Sequence, residues 1–309
     1  MKKYIFGYNS FRADDVVEVL PFKEILITLD DKNCLDGMPF MPEMKQYCGK
    51  EFKIQKKANY ICVDGHKPRG LRDTVFLEEL RCDGSSHDNC KKTCLIFWKV
   101  TWLRKKSDTS KPFKTNEIEN IRHEIQTKNV NNKAFFCQSS NLVEASFKLD
   151  IKSILNLLYK EIAYKNQSFF ELIQNLLNGM VWKFLKKSMN SSCKRIIGDE
   201  KDVIYSSNEL NLNPGELVQV KNCEEIKKTL DKNGKNRGLL FTPEMFVFCG
   251  KKFRVKKNLD KIIIEESGVM KNLSNTVILE NVTCDGRCLI GCPRNMYHFW
   301  REAWLKRVN

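Results

Sequence analysis

The sequence predicts an α+β chain in which two homologous small β-barrel, metal-clip domains flank a helical hairpin. Three observations carry this. Residues 16–54 match 217–255 without a gap, and after a one-residue slip TVFLEELRCDG at 74–84 matches TVILENVTCDG at 276–286 and continues to the end of the chain. Within each copy the apolar pattern alternates over short runs, as in strands. Between the copies the apolar residues recur at helical spacing. Each copy spans about 90 residues, an ordinary domain size, which places copy one at 14–106 and copy two at 214–309.

The elements follow in order. VVEV (16–19) and LVQV (217–220) open each copy as strands. KEILITLD (23–30) and EEIKKTLD (224–231) read as a short helix or turn. In the PEM segments, Pro precedes Glu43 and Glu244, which suits the first turn of a helix with its charge at the N-terminus. CGKEFKIQKK (48–57) and CGKKFRVKKN (249–258) have Gly followed by apolar-charged alternation, as in a half-buried antiparallel strand. TVFLEEL and TVILENV give a further strand. FWKVTWLRK (97–105) and FWREAWLKR (299–307) carry aromatics at i and i+4 and fit a short terminal helix or strand. Many short strands in so few residues indicate a small barrel, and the VEV and Gly-Lys-x-Phe strands make the pattern SH3-like.

The middle of the chain differs. Residues 107–148 are polar and Asn/Lys-rich and read as a linker with one helix at 116–127. Residues 149–195 read as the hairpin. Ile151, Ile154, Leu155, Leu158 and Ile162 lie on one helical face, and Ser168 with Glu171 forms a capping box. Phe169, Ile173, Leu176, Leu177, Met180 and Phe184 lie on the next face, expected to pack inward.

Composition sets the class. The 309 residues are 42% hydrophobic and 29% charged, as in globular proteins, and no apolar run is long enough to span a bilayer. The opening MKKYIFGYNSFRADD is too soon polar for a secretory signal. With thirteen cysteines, the expectation is a cytoplasmic protein with reduced thiols, where clustered cysteines more often bind metal than pair. The net charge of +15 suits a polyanion partner, although the Asn, Lys and Ile richness also fits an AT-rich genome.

The cysteines form two quartets: Cys48, Cys82, Cys90 and Cys94, with His87 among them, and Cys249, Cys284, Cys288 and Cys292. Three positions align, and the fourth moves: Ser86 stands opposite Cys288, and Met296 opposite Cys94. Losing one thiol and gaining another nearby keeps the count at the four donors a tetrahedral zinc site needs. An iron–sulfur cluster is the alternative, because C-x3-C-x3-C in copy two is close to the C-x3-C-x2-C of cluster-binding radical enzymes. Cys62, His66 or His87 could enter the first site. Cys34, Cys137, Cys193 and Cys223 read as small buried hydrophobes.

Other motifs bear on function. The pairs Trp98/Trp102 and Trp300/Trp304 read as core aromatics rather than as a stacking platform for bases. No nucleophile elbow, phosphate-cradling loop, HExxH or dinucleotide fingerprint occurs, and no catalytic residue is assigned. Glu43 and Glu244 in the paired PEM segments are carboxylates that could serve, although the helix-start reading is preferred. The strand after each CG is basic: Lys53, Lys56 and Lys57 match Arg254, Lys256 and Lys257 as candidate nucleic-acid contacts.

The string FMPEM…YCGKEFKI…RCDG…H…C…C…FWKVTWLRK resembles Cys-rich modules of uncharacterised bacterial proteins. In that family the module often occurs twice per chain and its tail reads FWKEAWLKR, which copy two keeps as FWREAWLKR. The resemblance covers both end domains and implies importance for Cys48, Cys82, His87, Cys90 and Cys94. Residues 287–291 depart from the H-x2-C-x3-C form. Together these readings give a non-catalytic zinc-binding tandem module that binds DNA or RNA through its basic strands. A protein-binding scaffold, or an accessory factor in a bacterial biosynthetic or defence pathway, is the first alternative. A metalloenzyme or iron–sulfur protein is the second.

Overall fold

The structure, a computed structural model, describes residues 11–106, 134–177, 198, 210–286 and 291–308. The helix expected at 116–127, the later part of the hairpin with Met180 and Phe184, Cys193 and Cys288 lie outside these residues. The chain divides into two compact units. Unit 1 comprises Met1–Gln174, Ile263–Lys271 and Cys292–Arg294; unit 2 comprises Asn175–Ile262, Asn272–Gly291 and Asn295–Asn309.

Unit 1 is built on a curled, five-stranded antiparallel sheet. Its strands are β1 (Val16–Val19), β4 (Glu51–Lys57), β7 (Thr74–Arg81), β8 (Leu95–Lys99) and β9 (Leu103–Lys105), in the order β8-β7-β4-β1-β9. A small hairpin, β2 (Cys34–Leu35) and β3 (Met38–Pro39), precedes the 3-10 helix Pro42–Tyr47. A second sheet joins β5 (Tyr60–Ile61), β6 (Arg69–Leu71) and β10 (Ser146–Lys148).

Unit 2 repeats the main sheet. Here β11 (Leu217–Val220), β14 (Lys252–Asn258), β17 (Thr276–Thr283), β18 (Tyr297–Arg301) and β19 (Leu305–Arg307) follow the equivalent order, β18-β17-β14-β11-β19. The ribbon β12 (Lys235–Asn236) and β13 (Leu239–Leu240) corresponds to β2 and β3. Strands β15 (Lys261–Ile263) and β16 (Met270–Asn272) flank the segment assigned to unit 1.

Alternation along each strand buries one face. Val17, Val19, Ile54, Val75 and Leu77 form the core of the first sheet, and Val218, Val220, Val255, Val277 and Leu279 that of the second. Trp98, Trp102, Trp300 and Trp304 are the anchors, each fully buried. Phe40 meets Trp98 and Trp102 edge-on at 6.4 and 5.4 Å, and Phe241 meets Trp300 and Trp304 at 6.1 and 5.2 Å, the favoured geometry for aromatic pairs. Trp102 donates its indole N–H to Thr28 at 3.0 Å, and Trp304 donates to the equivalent Thr229 at 3.1 Å.

Two expectations change. Residues 134–148, read as the end of a polar linker, pack into unit 1. Cys137, Leu142 and Ala145 are buried there, and the Gln138 amide accepts from Phe97 N–H and donates to the Phe97 and Pro39 carbonyls. A few apolar residues and one well-placed amide suffice to order a polar stretch. The helix Ile151–Ala163 forms as expected, but on the following helical residues 169–177 the aromatics Phe169 and Phe170 stand exposed.

Candidate metal centre

Cys82 lies just beyond β7, where its backbone N–H donates to the Cys94 carbonyl at 2.8 Å. The chain then turns sharply through Gly84, at φ 79°. A Cβ there would collide with the backbone of Cys90, so the CDG motif needs glycine to fold the cysteine loop back on itself. Asp83 stabilises this turn by accepting from the Ser85 N–H at 2.9 Å and its hydroxyl at 2.7 Å. The next turn, with His87 N–H donating to Gly84 O at 3.1 Å, carries the imidazole inward. Glu43 arrives from the first turn of the 3-10 helix Pro42–Tyr47.

The ligand atoms of Glu43, Cys82 and His87 all lie within 4.8 Å of one another. Cys82 Sγ is 3.3 Å from His87 Nε2 and donates to Glu43 Oε1 at 3.4 Å, while the Ser86 hydroxyl donates to Glu43 Oε2. His87 is 3% exposed and Glu43 8%. His87 Nδ1 has no hydrogen-bond partner among the described residues. Cys90, Cys94 and Cys137 line the same small cavity.

Burial dominates the electrostatics of the cluster. Burial raises the Cys82 thiol above its ordinary range, and the neighbouring Glu43 and Cys94 raise it further. Burial lowers the His87 imidazole, against the pull of Glu43 and Asp83, which favours the neutral form that binds metals. A bound divalent ion would reverse the first effect, because ligating thiols lose their protons.

The structure brings Cys82 and His87 together, adds Glu43, and sets Cys90 and Cys94 around them. Cys48 does not line this cavity; it packs against the core, its thiol pushed up to about 11 by burial. Among the described residues, Cys249, Cys284 and Cys292 do not gather into one ligand cluster. Cys249 Sγ lies 3.4 Å from Cys223 Sγ, and Cys284 is half-buried. Cys292 belongs to unit 1, where its sulfur is 3.4 Å from that of Cys62. Buried Cys34 and Cys137 match their reading as small hydrophobes.

Behind the cavity runs a buried charge network that sequence reasoning did not anticipate. Lys92 and Arg294, which are aligned residues of the two copies, both meet Glu265. Lys92 Nζ lies 3.5 Å from Oε2, and Arg294 donates to both carboxylate oxygens, at 3.0 and 2.6 Å. Arg294 also donates to Cys62 O at 2.7 Å, and the Ser139 hydroxyl donates to Glu265 at 2.9 Å. Burial alone would raise the Glu265 carboxyl, but the two cations hold it at about 2. The repeated C-x-[K/R] spacing, Cys90-x-Lys92 and Cys292-x-Arg294, was the available signal. Glu43 was likewise visible as a repeated PEM residue.

The basic strand residues separate. Lys53, Arg254 and Lys256 are exposed, and Lys56 and Lys257 are half-buried. Lys57 is fully buried, with its Nζ 3.3 Å from the centre of the Tyr164 ring, and it is no surface contact for a phosphate. A β-bulge between Ile54 and Lys56 shifts the alternation, and Tyr164 and Asn166 cover Lys57 there; copy two has the same bulge, but its equivalent Asn258 is exposed. Comparison with protein-family models, with curated proteins and with solved structures returned no match for this chain.

Proposed function

We propose that this chain is a non-catalytic zinc-binding tandem module, with zinc held in copy one by Glu43, Cys82, His87 and Cys94. The gathering of a carboxylate, a thiol and an imidazole within 4.8 Å in a buried setting carries this reading. Sulfur, nitrogen and oxygen donors in a set of four suit tetrahedral zinc. Cys94, which lines the same cavity, supplies the fourth donor in this reading, and Cys90, which also lines it, accepts at Sγ from Ile263 N–H at 3.4 Å. Four protein donors close the coordination sphere and make the ion structural. Each copy is read as a small barrel of SH3 type, and the exposed basic strand residues serve a nucleic-acid partner through phosphate contacts.

Elemental analysis of protein purified under reducing conditions tests the zinc assignment. About one zinc per chain is expected for the wild type, falling to trace levels in Cys82→Ser and in His87→Ala. Iron in place of zinc, with visible absorption, would favour the iron–sulfur alternative. Absence of any metal would return Glu43, Cys82 and His87 to an ordinary buried hydrogen-bond cluster.

A further inference from the structure

The outer faces of the two main sheets have the same backbone and opposite charge logic. In unit 1, Glu18 on β1 stands opposite Glu51 on β4 and Arg104 on β9. Arg104 is ion-paired with Glu24 at 3.1 Å and Glu18 at 3.6 Å, and Glu51 with Lys106 at 3.0 Å. With Lys53 and Gln55 included, these five positions carry no net charge. In unit 2 the register is the same, but Gln219 stands opposite Lys252 and Lys306, and Leu217 opposite Arg254. With Lys256 included, the equivalent five positions carry four positive charges.

Every acid that neutralises the first face is changed or diverted in the second. Glu18 becomes Gln219, and Glu51 becomes Lys252. Glu225, the counterpart of Glu24, caps its own helix, accepting from Asn222 N–H at 2.9 Å. Lys252, Arg254, Lys256 and Lys306 are all exposed. The ion pair found on this sheet among the described residues is Arg307–Glu216, at 2.8 Å. Four neighbouring, uncompensated cations repel one another, so this face costs stability unless a polyanion neutralises it.

We infer that the outer face of unit 2, formed by Lys252, Arg254, Lys256 and Lys306, binds the phosphate backbone of single-stranded nucleic acid, and that the equivalent face of unit 1 does not. This rests on the nucleic-acid reading given above and assigns it to one copy. Lys252 and Arg254 are alternate residues of one strand and so follow a line, about 7 Å apart, as contacts along an extended backbone should. Half-buried Tyr297, under Lys256 with its Nζ 5.5 Å from the ring centre, offers an aromatic beside the cations, the combination found in single-strand grooves. A membrane surface fits less well: no large exposed hydrophobic residue lies on β11, β14 or β19, and stable interfacial binding needs buried apolar area.

The test uses the full chain and a fluorescein-labelled oligo(dT) or oligo(U) 20-mer, with anisotropy read at several salt concentrations. For four phosphate contacts on a single strand, log K should fall against log salt with a slope of about −3. The set Lys252→Glu, Arg254→Glu, Lys256→Glu and Lys306→Glu should lower affinity at least about 30-fold and flatten the slope, with unchanged thermal melting. The set Lys252→Gln, Arg254→Gln, Lys256→Gln and Lys306→Gln should give a smaller loss in the same direction. Lys53→Glu with Lys56→Glu in copy one should change affinity less than about threefold. If the copy-one set abolishes binding, or the copy-two set leaves it intact, the assignment to unit 2 is wrong while the nucleic-acid reading stands. If the wild type shows no salt-sensitive binding to either probe, the nucleic-acid reading itself fails.

Discussion

Copy one and copy two share strand order, register and tryptophan core, yet they differ where side chains leave that core. Copy one gathers Glu43, Cys82 and His87 into a buried cluster and neutralises its outer sheet face with Glu18, Glu24 and Glu51. Copy two leaves its outer face basic, and its Cys292 belongs to unit 1 beside Cys62. The core of each sheet tolerates this divergence because its stability comes from buried apolar area, which both copies keep, and not from the loops or the outer face. One copy is thus free to hold a metal while the other presents charge.

The largest way to break this comparison is through Glu265. Glu265→Ala would leave Lys92 and Arg294 buried without their counter-charge, costing unit 1 about 3–5 kcal/mol. Hydrogen exchange should then speed up in β7 and β8 and stay unchanged in β17 and β18; equal loosening of both sheets would show that the network does not belong to unit 1 alone. Acid should act in the same direction. With a folded pKa of about 2 against an ordinary 4.5, ionised Glu265 stabilises unit 1 above pH 4.5. That contribution, about 3 kcal/mol, should drain away as the pH falls from 4.5 toward 2.

A smaller effect sharpens the comparison at the other end of unit 1. The Asn166 amide accepts from Lys57 N–H at 2.8 Å and donates to Lys57 O at 3.0 Å, fastening the turn after helix Ile151–Ala163 to the end of β4. Glu161, beside it, accepts from Asn59 and Asn166 at 3.0 Å each. Asn166→Ala should cost about 1–3 kcal/mol, loosening that helix first in hydrogen exchange. Loss spread evenly over unit 1 would mean the helix is fastened elsewhere.

Much of the scaffold could be read from the sequence because period-two alternation and aromatic spacing are local signals. The strands at VVEV, CGKEFKI and TVFLEEL follow from them, as does the burial of Trp98 and Trp102. The burial of Lys57 escaped because it depends on a bulge and on cover from Tyr164 and Asn166, more than 100 residues away. Glu43 was visible as a repeated carboxylate, but a Glu after proline suits a helix N-terminus as well as a ligand, and the thiols with His87 already made a full donor set. The Lys92–Glu265–Arg294 network was hidden by distance, since Lys92 lies 173 residues from Glu265 and Arg294 a further 29 beyond it. Residues 134–148 were masked by their polar composition, although Gln138 forms as many backbone contacts as a ladder residue would.

The division of labour between the copies is tested most directly by loading the full chain with cobalt(II) and recording its absorption spectrum. The thiolate-to-cobalt charge-transfer band and the intense visible bands of a tetrahedral site should appear at about one cobalt per chain. They should vanish in Cys82→Ser and weaken with a change of shape in Glu43→Gln, yet persist in full in Cys284→Ser. Bands that survive Cys82→Ser and disappear in Cys284→Ser would place the metal in copy two and contradict the account.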